Sequence, residues 1–381
     1  MFGHLLEPIS RRWFNGVVDR HDGNAYDKRF KSWDHLAVLI YAQLGGIDGL
    51  RGLETVWNAH AHHHYHLGVG KLSRSTLADA NVRRPTAIFI ETFSMLSGQA
   101  SGLLRRESDE MLRLIDATPI PLGQLVTWAK WNGRARGLKL HVVYDPAADN
   151  PTRLDITHVN VNDVEVGRQV PIEAGHAYIY DKAYCSYDWW MDIHQAGAQF
   201  VTRSKINARY KVTRRRALIK RKGDGFKILK DQEVRLISKN ASRLPIVMRR
   251  VRVKREDGGV LVLITNDLRR SAVEIAALYK KRWQIELLFR WIKQHLKIRT
   301  FFGRNENAIR LQILAAMIAY VLLRIVARQS RLKVPIIRFA DLLCARLFTR
   351  AKIEQIDKPP DVNPAKRRPK HSPDQLHFCY A

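Results

Sequence analysis

The chain has 381 residues, 46% of them hydrophobic, enough for two or three domains and at least one sizeable core. Its 65 Lys and Arg stand against 36 Asp and Glu, a formal charge of +29 that points to a polyanionic partner, nucleic acid before an acidic membrane surface. Cys185, Cys344 and Cys379 form neither a CxxC pair nor a disulfide framework, MFGHLLEPISRRWF lacks a signal-peptide core, and the apolar run Ile313–Leu323 is too short to cross a bilayer. A soluble, cytoplasmic, nucleoid-associated protein is expected.

Residues 1–104 read as a helical, basic N-terminal DNA-binding domain. In SWDHLAVLIYAQLGG, Ser32 is the expected N-cap and Gly45-Gly46 the stop. STLADANVRRP and TAIFIETFSMLSGQ are two helical patterns broken at Pro85, and Lys71, Arg74, Arg83 and Arg84 punctuate the region. The run HAHHHYH (60–66) invites a zinc reading. Its spacing fits neither a Cys/His finger nor HExxH, so a solvated loop, at most touching phosphate, is expected.

From residue 105 to 330 the pattern is α/β. MLRLIDATPI, LKLHVVYD and RLDITHVN are strand-like runs separated by turn residues. A short helix near 164–170 leads to the strand HAYIYD, the helix SYDWWMDIHQAG and a fifth strand, AQFVTRSK. This alternation predicts a mixed sheet flanked by helices, with Trp189 and Trp190 as helix-packing core rather than base-stacking platforms. Residues 206–265 interrupt it with a β-rich insertion, polar and basic on one face. One helix over about 271–297 follows, then a strongly apolar core helix, RLQILAAMIAYVLLRIVARQ. Residues 331–381 are expected as a C-terminal helix and a disordered tail whose KRRPK run is either a DNA anchor or inert.

The helix over 271–297 carries a single acid among many cations in YKKRWQIELLFRWIK. At about 100° per residue, Tyr279, Arg282, Glu286 and Lys293 share a stripe roughly 60° wide, beside an apolar face that includes Ile285, Leu288 and Ile292. A carboxylate flanked by phosphate-binding groups suits a metal-dependent phosphodiester site. The bland alternative is an i,i+4 pair of Glu286 with Arg290 on a solvated helix. Asp116 and Asp181 each end an apolar strand and are candidate partners of Glu286 in holding two divalent ions. Oxygen-only donors point to Mg²⁺ or Mn²⁺. Asp145 and Asp155 also lie on or near strands, and spacing alone does not choose among the four.

Y279-(2)-R282-(3)-E286-(6)-K293 resembles, in all four residues and all three spacings, the signature of DDE-type bacterial transposases of insertion-sequence family 4. LIDATPI and YDKAYCSYDWW are similar to the first and second acid motifs of that family, with Lys182 where Arg is common and Ala183 where Gly is. KLH (139–141) and FVTRSK (200–205) resemble weaker segments, and residues 1–104 resemble a helical domain that often precedes the catalytic core. The resemblance implies a ribonuclease-H-like fold with a β-rich insertion. It also implies Asp116, Asp181 and Glu286 as a triad holding two Mg²⁺ (or Mn²⁺), and Tyr279, Arg282, Lys293, Arg203, Lys139 and His141 as DNA-binding residues. Double-stranded DNA would be the partner, bound as a homodimer, for cleavage and strand transfer at the element's ends. The segment GGVLVLITND has no aromatic where some relatives carry a Trp that stacks on a flipped base. Two rivals stay open, a DNA-binding repressor with a lapsed site and a ribonuclease-H-like nuclease without strand transfer.

Overall fold

The computed structural model describes residues 1–105, 111–123, 125–218, 225–237, 241–295, 301–349 and 353–356. The N-terminal segment is helical: α1 (Phe2–Leu6), α2 (Arg11–Arg20), α3 (Ser32–Leu44), α4 (Leu50–Ala59), α5 (His64–Leu67), α6 (Arg74–Arg83) and α7 (Thr86–Leu104). Pro85 stands as the N-cap of α7 and Gly45 as the C-cap of α3, as the sequence predicts. The start of α3 differs by one residue. Lys31 is the cap and its N–H donates to Asp34, while the Ser32 hydroxyl donates to Gly23 O.

The second half follows the predicted order: β1 (Leu112–Pro121), β2 (Gly137–Asp145), β3 (Asn150–His158), α8 (Asp163–Gly167), β4 (Ala177–Tyr180), α9 (Tyr187–Gln195) and β5 (Gln199–Arg203). The insertion is β6 (Tyr210–Arg215), β7 (Phe226–Leu236), β8 (Met248–Arg255) and β9 (Val260–Thr265). Its strands are not a separate layer. β9 pairs with β5, giving one nine-stranded sheet of order β3-β2-β1-β4-β5-β9-β8-β7-β6. β1–β2 and β2–β3 are antiparallel, β1–β4 and β4–β5 parallel, and the insertion strands antiparallel throughout.

Strand alternation divides the side chains between two faces. On the first lie Leu114, Val142, Ile179, Val201, Val251 and Leu263, in one core with the N-terminal helices and with α10 (Ala272–Lys281), α11 (Trp283–His295) and α12 (Glu306–Gln329). On the second, Ile115, Tyr178, Tyr180, Phe200 and Ile264 pack with α9. There Trp189 stacks on Tyr180 and Trp190 on Phe200, so the two tryptophans are core, as expected.

Three expectations change. The helix expected over 271–297 is two, α10 and α11, broken at Arg282, and residues 296–300 lie outside the described residues. The histidine run is helical rather than a free loop: His64 is buried against Trp57, and His60 stacks on Phe348 beyond α13 (Ile336–Arg346). Finally, α12 is by length and composition long and apolar enough to cross a bilayer, although the run Ile313–Leu323 alone is not. Its most apolar window is 89% buried, packed chiefly on α7 and α3, so it serves as the shared core of the helical segment and the sheet. The basic run at 366–370 lies outside the described residues.

Candidate active site

Asp116 lies on β1 opposite Val142, which fixes its side chain on the first face. The Ala117 N–H donates to its Oδ1 at 2.9 Å and pins the carboxylate. β4 runs parallel to β1 with Ile115 beside Tyr180, so Asp116 and Asp181 follow side by side. Asp181 comes just after the last residue of β4, whereas Asp116 lies in mid-strand, because β1 keeps pairing with β2 as far as Pro121 instead of ending at the acid as the sequence suggests. Asp181 also begins the 3-10 turn Lys182–Tyr184, which turns the chain off the sheet. Glu286 sits in the first turn of α11, above the same face.

Arg282, at the break between α10 and α11, ties the acids together. Its Nη1 donates to Asp116 Oδ2 at 3.0 Å and its Nη2 to Glu286 Oε1 at 2.5 Å. Two carboxylates from distant parts of the chain thus stand one guanidinium apart. The Tyr279 hydroxyl donates to Asp181 Oδ1 at 3.5 Å, its ring lies 5.8 Å from the Arg282 guanidinium, and Arg203 reaches Asp181 at 3.8 Å. Lys293 Nζ donates to Thr118 Oγ1 at 2.5 Å, two residues along β1 from Asp116. Arg290 does not take Glu286 as an i,i+4 partner. It lies over the Trp283 ring, and Glu286 pairs back to Arg282.

The titration of Asp116 is shifted, and burial is the main cause. Burial pushes the Asp116 carboxyl up to about 6, with Glu286 and Asp181 adding to the rise while the Ala117 N–H and Arg282 oppose it. Arg282 Nε is buried without a hydrogen-bond partner among the described residues, so charge more than full hydrogen bonding holds the guanidinium. Among the described residues no three His, Cys, Asp or Glu side chains close on one point, because Asp116 and Glu286 close on Arg282. An oxygen-only donor set around a position that already takes a cation fits a hard divalent metal ion.

Lys139 and His141 are not brought to this cluster. His141 pairs across the strands with Ala117, on the second face, where its Nε2 meets Thr157 Oγ1 at 2.9 Å and its Nδ1 lies 3.4 Å from the Tyr184 hydroxyl. Lys139, of the same parity, is spent on Asp163 at 2.7 Å and on Val161 O. The competing acids also fall elsewhere. Asp145 is buried beside Arg113 and accepts turn N–H groups, and Asp155 sits opposite His141 and pairs with Arg153. Thr118 is the residue that sequence reasoning passed over, although it stands in the LIDATPI segment.

A family model described as a transposase DDE domain matches residues 107–322, and one described as a domain of unknown function matches residues 1–70. The chain is 60% identical over 304 residues to a Sinorhizobium fredii protein named as transposase y4zB, covering 80% of this chain and 85% of that one. It is 30% identical over 271 residues to a Geobacillus stearothermophilus protein named as a transposase for insertion sequence element IS5377, covering 69% and 70%. A chain in a cryo-EM structure of the piggyBac transposase synaptic complex with hairpin DNA overlaps 95% of this chain and 82% of that one at 9% identity. Its TM-score of 0.47 is too low to argue from. With more than half of its length matched by the family model and a relative this similar over most of both chains, the protein belongs to the DDE-domain transposases of bacterial insertion sequences.

Proposed function

We propose that the chain is a family-4 transposase that binds the inverted-repeat ends of its element and catalyses metal-dependent cleavage and strand transfer on double-stranded DNA. The observation that carries this reading is the linkage of Asp116, Asp181 and Glu286 through Arg282 and Tyr279 on one face of the sheet. The order β3-β2-β1-β4-β5, antiparallel then parallel, supports a ribonuclease-H-like core. Asp116, Asp181 and Glu286 would hold the ions. Two Mg²⁺ or Mn²⁺ ions, when bound, would supply activation of water and of a DNA 3′-OH and stabilisation of the leaving 3′ oxygen.

The chain's own groups do the rest. Arg282, once released from Asp116 and Glu286, can grip a phosphate oxygen with its forked donors. Lys293 and Arg203 add charge on either side, and the Tyr279 hydroxyl positions the DNA backbone near the scissile bond. Two ends cut together call for a homodimer on DNA, and a cytoplasmic, nucleoid-associated protein is consistent with such a substrate. Residues 1–104 would supply end recognition through exposed cations such as Lys71, Arg74 and Arg83; Arg84 is buried on Asp27 and is structural.

The test pairs a gel shift with a cleavage assay on DNA from the element's ends. Asp116→Ala, Asp181→Ala and Glu286→Ala should each bind the ends and cut nothing in Mg²⁺. Cutting by any one of them removes that residue from the triad. End binding without cutting by the parent protein would identify a lapsed repressor, and cutting without joining a nuclease.

A further inference from the structure

The insertion carries a cationic surface that the proposed active site does not use. On β8, Val251 and Val253 point into the first-face core, so Arg250, Arg252 and Lys254 point the other way. Across the ladder Arg252 faces Lys230, and Lys254 faces Lys227. Arg252, Lys254, Lys227 and Lys230 are exposed, and none of the four forms a salt bridge among the described residues.

Two bland explanations fit poorly. Cations on an edge strand can act as guards against sheet-to-sheet pairing, but β8 is flanked by β7 and β9. A merely solvated face would mix signs, since like charges directly opposite on neighbouring strands are destabilising. Here two such pairs stand in succession. A polyanion laid across them would offset the repulsion.

We infer that this face of the insertion is a second DNA surface, which grips the phosphate backbone of a duplex away from the scissile bond and without regard to sequence. The cations recur every second residue along β8, at roughly 6.8 Å, and across strands at roughly 4.8 Å. A duplex presents one phosphate per about 1.7 Å of its axis, so a patch two strands wide meets several at once. No base-reading aromatic stands among these residues, so the contact is electrostatic. The face is opposite the one bearing Asp116, so the duplex it holds is not the segment being cut. The inference rests on the transposase reading, and its test is built to fail separately.

The triple variant Lys230→Gln/Arg252→Gln/Lys254→Gln is compared with the parent and with the charge-retaining Lys230→Arg/Arg252→Lys/Lys254→Arg. Random-sequence duplex is titrated at several salt concentrations. The neutral variant should lose about 2.7 from the slope of log K against log salt and bind at least about tenfold more weakly at 0.15 M, and the charge-retaining variant should match the parent. The melting temperature of the neutral variant should hold or rise, and its cutting of a short end duplex at saturating protein should be unchanged. An unchanged salt slope overturns the inference and leaves the catalytic reading standing. Loss of cutting at saturation, with normal melting, overturns the separation of the two DNA surfaces. Anionic vesicles of phosphatidylserine, if bound through the same three cations in preference to duplex, would assign the face to a membrane instead.

Discussion

Arg282 occupies the position where the acids most need positive charge, and removing it should have opposite effects with and without metal. In the metal-free protein Arg282→Ala strips two charge-assisted hydrogen bonds from part-buried carboxylates, a loss of about 2 kcal/mol. The same change leaves Asp116 and Glu286 without a competing cation, so added Mg²⁺ should raise the melting temperature more than it does in the parent. A smaller Mg²⁺ shift in the variant would mean that Arg282 helps to hold the ion rather than standing in for it. His35 gives a second residue-scale prediction. Burial, then Arg84, push its imidazole down to about 3, while a hydrogen bond to Asn81 pulls the other way. A histidine with a depressed folded pKa must stay neutral to stay folded. Its contribution is therefore complete above the unfolded value near 6.5 and is lost as pH falls from there toward 3, by at most about 1.4 kcal/mol per pH unit. His35→Gln should flatten the melting profile between pH 6.5 and 4, and an unaltered slope would place the acid sensitivity elsewhere.

At the scale of elements, α11 separates its duties by face. Leu288 and Ile292 are buried in the core, whereas Leu287 is 44% exposed. Leu288→Ala or Ile292→Ala should cost about 2–5 kcal/mol through a cavity, and Leu287→Ala within about 0.5 kcal/mol. Thermal melts of the three decide it, and equal losses would mean that α11 packs on a different side. The order β1 to β5 and the burial of α12 could both be read from turn residues and apolar period. The break at Arg282 could not, because no Gly or Pro marks it and the chain there stays in a helical conformation. Nor could the faces of Lys139 and His141. They lie on a strand whose pairing with β1 sets which side they share with Asp116, and that register is a tertiary fact. Tyr279, Arg282, Glu286 and Lys293 were legible because their spacing is local, even though one turn divides them between two helices.

For the molecule as a whole, the decisive element is α12. The sequence suggests a helical domain ending near residue 104 and a separate sheet domain after it. In the structure α12 follows the sheet in the chain yet packs mainly on α7 and α3, while α7 also rests on β3. Asn150 from β3 bonds Ser97 and Ser101 on α7, and Asn307 at the start of α12 bonds the carbonyls of Asn81 and Arg84. Polar and apolar contacts therefore both cross the suggested boundary. A chain beginning at residue 105 would expose one flank of a helix whose residues from Ile313 to Leu323 are nearly all inaccessible in the intact protein. Burying a single Leu or Ile is worth roughly 1.5–3 kcal/mol, and several would be uncovered at once, against a total stability of about 5–15 kcal/mol for a typical domain. Such a truncated chain should aggregate or melt without cooperativity, and the full chain should unfold through α7, α12 and the sheet together. Calorimetry of the full chain and hydrogen exchange on α12 provide the measurement. Two well-separated transitions, or cooperative folding and metal-dependent DNA cutting by residues 105–381 alone, would show that the helical segment is an appendage rather than half of the core.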